Sequence, residues 1–312
     1  MTETEVRNEY FGTRSSRRDW LLTKTTLGPL AARARSDQWF EVRLMHEGTQ
    51  LSVGTAEILT AVSRAFGFVL GHRVFVLGYE GIFQDHQTRC LEVPNQEPTR
   101  NSLLAPLGTG CAYLGGVECV LGRAIDFFLT DQGERVAQHL YLCWDTADNA
   151  LPTRLAVASI CVEGLLRIAS QSPNRGDPGY TQADRGAFER WLERNPDGLT
   201  ARFIARLRGF FGMLGQKRPV DVLRDWQTRG LLSVTEEDIE AWENTRNPSA
   251  HAELIGPAAD RTALQTRVSR FYRVMNLMNR IVLQLMGYRG VYVDYSQRWR
   301  EIEFPAAPDG TL

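Results

Sequence analysis

An arginine and a histidine with four residues between them, Arg246-Asn247-Pro248-Ser249-Ala250-His251, are the chain's one Arg…His pair with four to six intervening residues. Their types suit cleavage of a phosphodiester without metal. Histidine titrates near neutral pH and can take the proton of a 2′-hydroxyl. Arginine brings a fixed charge and a planar fork that matches a phosphate gaining negative charge. Attack of the 2′-oxygen would leave a 2′,3′-cyclic phosphate. Asn247 lies beside Arg246 and can orient a partner or cap a helix.

Spacing decides whether the pair can converge. On one continuous helix, positions five apart diverge by about 140°. Pro248 disfavours helical backbone at Asn247. The acidic helix beginning near 235 is therefore expected to end at Arg246, with Asn247 capping a new helix whose first turn holds His251. The bare N–H groups of that turn suit an anion. The alternative is structural: Arg246 pairs with Glu243 or Asp238, and His251 packs at the helix start.

Glu163 is a second candidate. It interrupts an apolar run, ICVEGLLRI over 160–168, and a buried carboxylate requires a partner. It can hold Arg246 or His251 in place, or form a surface i,i+4 pair with Arg167. The segment 261–286 has five arginines, Arg261, Arg267, Arg270, Arg273 and Arg280, and no acid. It reads as a phosphate-tracking face, as the complement of the acidic helix carrying Glu236, Glu237, Asp238, Glu240 and Glu243, or as a plain solvated face.

The elements around these residues divide the chain in texture. Residues 1–20 are polar and expected to be mobile. Over 21–130 the pattern is that of a small α+β module: two short strands around Glu47-Gly48, a helix over 55–69, a strand over 72–81, another around Cys90–Val93. Helices follow at 117–130 and 133–148. From Leu151 the pattern is helix after helix, roughly 153–171, 182–195, 200–214, 219–229, 235–246 and 260–286. Thr181 with Asp184, and Thr235 with Asp238, read as N-caps, and Gly230 and Gly287 as C-caps. Leu264, Val268, Phe271, Met275, Met278, Val282 and Leu285 form the apolar stripe of the last helix. The expected fold class is α+β overall, with an all-α bundle over 131–295, core 151–290, and a tail over 296–312.

Three segments resemble HEPN domains, the helical family with an Arg-x4–6-His signature. Arg-Asn-x-x-x-His before the last helix is similar to its ribonuclease members. LMGYRGVYVDY, 285–295, is similar to the Leu-x-Gly-Tyr-x-Gly-x-Tyr-x-Asp endings of its ApeA-like members, associated with defence against phage. ICVEGLLRI resembles their Leu-Glu-x-Leu helix, with Val162 in place of the first leucine. The resemblance implies a metal-independent endoribonuclease that acts on RNA and is catalysed through Arg246, Asn247, His251 and Glu163. It also implies a homodimer whose two motifs face each other across one cleft. Rival readings are a non-catalytic HEPN module binding nucleotide, RNA or protein, and a toxin restrained by an antitoxin partner. A phage-derived protein partner also fits a defence role.

Bulk properties narrow the rest. The net charge of −1 argues against a protein that coats nucleic acid, so RNA contacts must be local. Five scattered cysteines suit free thiols in a reducing cytoplasm rather than a disulfide framework or a metal site. His46, His72, His86 and His139 read as structural. No signal peptide, membrane span, cofactor or metal is expected.

Overall fold

The computed structural model describes residues 21–34, 40–45, 53–83, 86–91, 104–107, 114–170, 181–195, 199–214, 218–250, 260–297 and 300–304. These residues form an α+β structure in which helix predominates. The Glu47-Gly48 turn, the strand end at Glu92-Val93 and His251 lie outside them, as do His46, residues 1–20 and 305–312.

The first half begins with a three-stranded antiparallel sheet, β1 (Leu21–Thr25), β2 (Gly28–Ala34) and β3 (Phe40–Leu44), in that order. β1 and β2 turn at Thr26-Leu27, where Gly28 takes a φ of 133° that favours glycine. Helix α1 (Thr55–Leu70) follows, then the hairpin β4 (Gly78–Phe83) and β5 (His86–Leu91). The strand expected over 72–81 begins only at Gly78. Ser63 of α1 donates to the Val74 carbonyl, so part of that backbone is taken by a side chain rather than a neighbouring strand.

Helices α2 (Leu114–Phe128) and α3 (Asp131–Asp145) come next. β1 lies directly on α2: Thr23 Oγ1 donates to the Glu118 carbonyl at 2.6 Å, and the Thr26 amide and hydroxyl both reach Asp126 Oδ1 at 2.8 Å. The approach is close because Gly122 carries no side chain. A Cβ there would lie 2.4 Å from the Lys24 carbonyl oxygen.

The second half contains α4 (Leu151–Ser170), α5 (Gln182–Arg194), α6 (Ala201–Leu214), α7 (Pro219–Thr228), α8 (Glu236–Ala250) and α9 (Arg261–Leu285). No strand occurs among the described residues between 151 and 280. The expected caps form. Thr181 Oγ1 accepts from the Asp184 amide, and Thr235 Oγ1 from the Asp238 amide. Gly230 and Gly287 adopt left-handed backbone, φ 66° and 61°.

α4 is the central helix, with α3, α7, α8 and α9 packed around it. It buries Leu155, Val162, Leu165 and Leu166 completely or nearly so. Trp242 of α8 donates its indole N–H to the Ser159 carbonyl at 3.0 Å, locking α8 against α4. In α9 the stripe is buried from Phe271 to Val282, but Leu264 is 49% exposed because the first turns of that helix run beyond the core.

Two further features lie at the expected boundaries. The tail expected over 296–312 includes a strand: β6 (Gly290–Asp294) and β7 (Arg300–Phe304) form a hairpin after α9. The buried apolar side chains also form one continuous cluster from Leu30 to Phe304, across the textural change near 130–151. Burying surface from both halves together is more favourable than leaving two apolar faces exposed.

Candidate functional site

Glu163, at the middle of α4, and Arg246, in the penultimate turn of α8, meet where those helices pack. Arg246 Nε donates to Glu163 Oε2 at 2.8 Å and Arg246 Nη2 to Oε1 at 3.3 Å. This two-point grip fixes the plane of the guanidinium as well as its position. Arg167, one turn along α4, donates from Nη2 to the same Oε1 at 2.7 Å. Both readings of Glu163 are therefore realised together: it holds Arg246 and also forms the i,i+4 pair.

The electrostatics follow from that geometry. The hydrogen bond from Arg246 is the main influence on Glu163. With help from Arg167 it overcomes burial and holds the carboxyl below its ordinary value. In turn the Glu163 hydrogen bond raises Arg246, so both remain charged at neutral pH. The ion pair is only partly enclosed, with the Glu163 side chain 18% exposed and that of Arg246 36%. Water or a bound anion can approach such a group.

The hinge expected at Asn247 is a correction. α8 continues through Pro248 to Ala250, so Asn247 is helical rather than a cap. Proline lacks an amide and disrupts the bond to the residue four earlier, Asn244. That residue is exposed, so its carbonyl can turn to water. The preference for extended backbone before proline is thus overridden close to a helix end. His251 follows directly but lies outside the described residues, so the structure brings together Arg246 and Glu163 of the four candidates.

Asp238 and Arg280 belong to a different cluster, which accounts for part of the arginine-rich helix. Arg280 Nη2 and Asp238 Oδ2 are 2.9 Å apart, both side chains 3% exposed. Arg280 also donates to the carbonyls of Ser233 and Asn276. Arg273 reaches Asp238 Oδ1 at 3.1 Å and Glu237 Oε2 at 2.5 Å. For these two arginines the complementary reading holds. Asp238 is unavailable to Arg246.

The 285–295 ending has a structural explanation. After α9, the Tyr288 hydroxyl donates to the Val291 carbonyl at 2.9 Å, and its ring lies over Gly290, where a Cβ would be 2.5 Å from that oxygen. Asp294 accepts from Asn276 of α9 and from the Ser296 amide and hydroxyl. Tyr295 donates to the Ala105 carbonyl. The motif fastens the final hairpin onto α9 and segment 104–107.

A further group of side chains meets between α3, α4 and α9. His139 of α3 rests on Gly164 of α4, while the Cys161 thiol donates to the His139 carbonyl at 3.1 Å and Cys143 to the Met278 sulfur at 3.5 Å. Scattered positions on three helices give no spacing signal for such a group. Among the described residues, no set of three or more His, Cys, Asp or Glu side chains is arranged to hold a metal ion. No helix among them is long and apolar enough to cross a membrane.

The class that fold and site define is an α+β protein whose helical part carries a partly exposed Arg–Glu pair between two packed helices. Compared with protein-family models, curated proteins and solved structures, the chain matches none of them.

Proposed function

We propose that the chain is a HEPN endoribonuclease that cleaves RNA without metal, in a setting of bacterial defence against phage. The observation that carries this reading is the pairing of Glu163 with Arg246. These residues lie 83 positions apart, in two segments that each resemble that family. Their bidentate contact orients the charged group that the chemistry needs.

In this reading His251 takes the 2′-hydroxyl proton and returns a proton to the leaving 5′-oxygen. Arg246 stabilises the phosphorane-like charge. Glu163 positions Arg246 and contacts no reacting atom. Asn247 adjoins Arg246 and orients the pair. In a homodimer, a facing second copy would complete the cleft with its own arginine and histidine. Two copies would also concentrate positive charge on a chain of net charge −1.

The engagement of Arg246 by Glu163 favours one other reading: a non-catalytic module of the same family that binds RNA, a nucleotide or a protein such as an antitoxin. Wild-type protein and the His251→Ala variant separate the two. Ribonuclease action requires RNA cleavage or growth inhibition by the first and none by the second. Equal behaviour of both, with RNA binding retained, would select the non-catalytic module.

A further inference from the structure

Helices α5 and α6 combine charge and exposed rings in a way that the Arg246 region does not use. They contain six arginines, three carboxylates and no lysine. Two of the carboxylates are engaged. Asp184 completes the N-cap of α5 with Thr181, and Glu189 receives Arg208 of α6, with Nη2–Oε2 2.9 Å and Nε–Oε2 3.1 Å. The latter contact ties the two helices together. α6 itself has three arginines and no acid, and from Ala201 to Gly209 every residue except Ile204 and Leu207 is exposed.

The rings point to the kind of ligand. Trp191 is 51% exposed and Phe203 47% exposed, although an aromatic ring is among the most favourable groups to bury. Trp191 is stacked on Phe188, centroids 6.4 Å apart and planes 15° from parallel. Each exposed ring directly follows an arginine in the chain, Arg190 before Trp191 and Arg202 before Phe203. Among the described side chains of α6, Ile204 and Leu207 are partly covered while Phe203, Arg202 and Arg206 are exposed. Guanidinium groups recognise phosphates and stack on bases, and single-stranded nucleic acids bind where cations track the backbone and aromatic rings receive the bases.

We propose that α5 and α6 form an arm that binds single-stranded RNA, with Arg202 and Arg206 on phosphates and Trp191 and Phe203 stacked on bases. That the arm holds substrate for cleavage rests on the ribonuclease reading; RNA binding by the arm does not.

The test is fluorescence anisotropy with the full chain and a labelled single-stranded RNA whose 2′-O-methyl groups prevent cleavage. The variants are Arg202→Gln/Arg206→Gln and Trp191→Ala/Phe203→Ala, at exposed positions, with circular dichroism to verify folding. The arginine pair should lower the slope of log affinity against log salt by about 1.4, since each phosphate contact on a single strand contributes about 0.7. The aromatic pair should weaken binding about tenfold or more without changing that slope. Wild-type affinity in both variants overturns the proposal. So does tighter binding of anionic phospholipid vesicles than of RNA through these residues, or conversion of a dimer to a monomer with RNA affinity unchanged. An unmodified RNA run in parallel separates the two readings. Binding by wild type without cleavage leaves the arm standing and removes the ribonuclease. Cleavage and RNA affinity both undiminished in the arm variants remove the arm and leave the ribonuclease.

Discussion

Glu163 holds Arg246 by both carboxylate oxygens, at 2.8 and 3.3 Å, across the contact between α4 and α8. The geometry depends on a planar fork meeting a planar carboxylate. Glu163→Gln retains the shape and loses the charge, so the guanidinium should lose its fixed plane. RNA cleavage should fall about 10–100-fold, the order expected when a reacting group is misplaced by about an ångström. Arg246→Lys cannot form the fork and should be as inactive as Arg246→Ala. Rates for the three variants, each shown to be folded, check this. Full activity in Arg246→Lys would show that the fork is not required.

The Asp238–Arg280 pair should control stability rather than chemistry. Burial pushes the Asp238 carboxyl up. The Arg280 charge, with hydrogen bonds from Arg280, the Thr235 amide and Arg273, more than offsets this and holds it below its ordinary value. A carboxyl with a depressed folded pKa stabilises the fold fully above its unfolded pKa, about 3.9. That contribution is lost as pH falls through the folded value. Urea midpoints should therefore be steady from pH 7 to 5 as far as this pair is concerned and fall below about pH 4. Asp238→Asn leaves Arg280 buried without its counter-charge and should cost about 3–5 kcal/mol at pH 7, with a weaker acid dependence. A midpoint equal to wild type at pH 7 would contradict this.

Gly164 should tolerate no side chain. A Cβ there would lie 2.1 Å from His139 Cε1 and 2.4 Å from Nε2. The ring is confined between α3 and α4, so Gly164→Ala should destabilise by about 1–3 kcal/mol despite the better helix propensity of alanine. The double variant with His139→Ala should recover part of the loss. A stability equal to or above wild type in Gly164→Ala alone would show that the two helices can separate at little cost. Chemical denaturation of the three proteins decides.

Much of the helical part was legible because periodicity and caps are local signals. Thr181–Asp184, Thr235–Asp238, Gly230 and Gly287 each mark a boundary through groups within a few residues of one another. The strands were harder to read. β1 is short, Leu21–Thr25, and it is held as much by α2, at Glu118 and Asp126, as by its own sequence. The final hairpin depends on Asn276, Ala105 and Pro106, which lie distant in the chain. At the site, residue types were legible and partners only in part. Glu163 was recognised as a carboxylate needing a cation, but the choice between Arg246 and Arg167 arises from packing that supplies both. Pro248 carries a local backbone preference for a helix end, whereas α8 runs two residues beyond it, to Ala250.

The most direct test of the central claim is the chemistry at the end of a cleaved RNA strand. Purified protein is incubated with single-stranded RNA in excess chelator, beside Arg246→Ala and His251→Ala, and the 3′ ends are identified by mass. The account predicts cleavage by wild type with a 2′,3′-cyclic phosphate at the new end. It also predicts a fall of about 10²–10⁴-fold for His251→Ala and about 10²–10³-fold for Arg246→Ala. Undiminished cleavage by either variant, a strict requirement for Mg²⁺, or 3′-hydroxyl ends would contradict it.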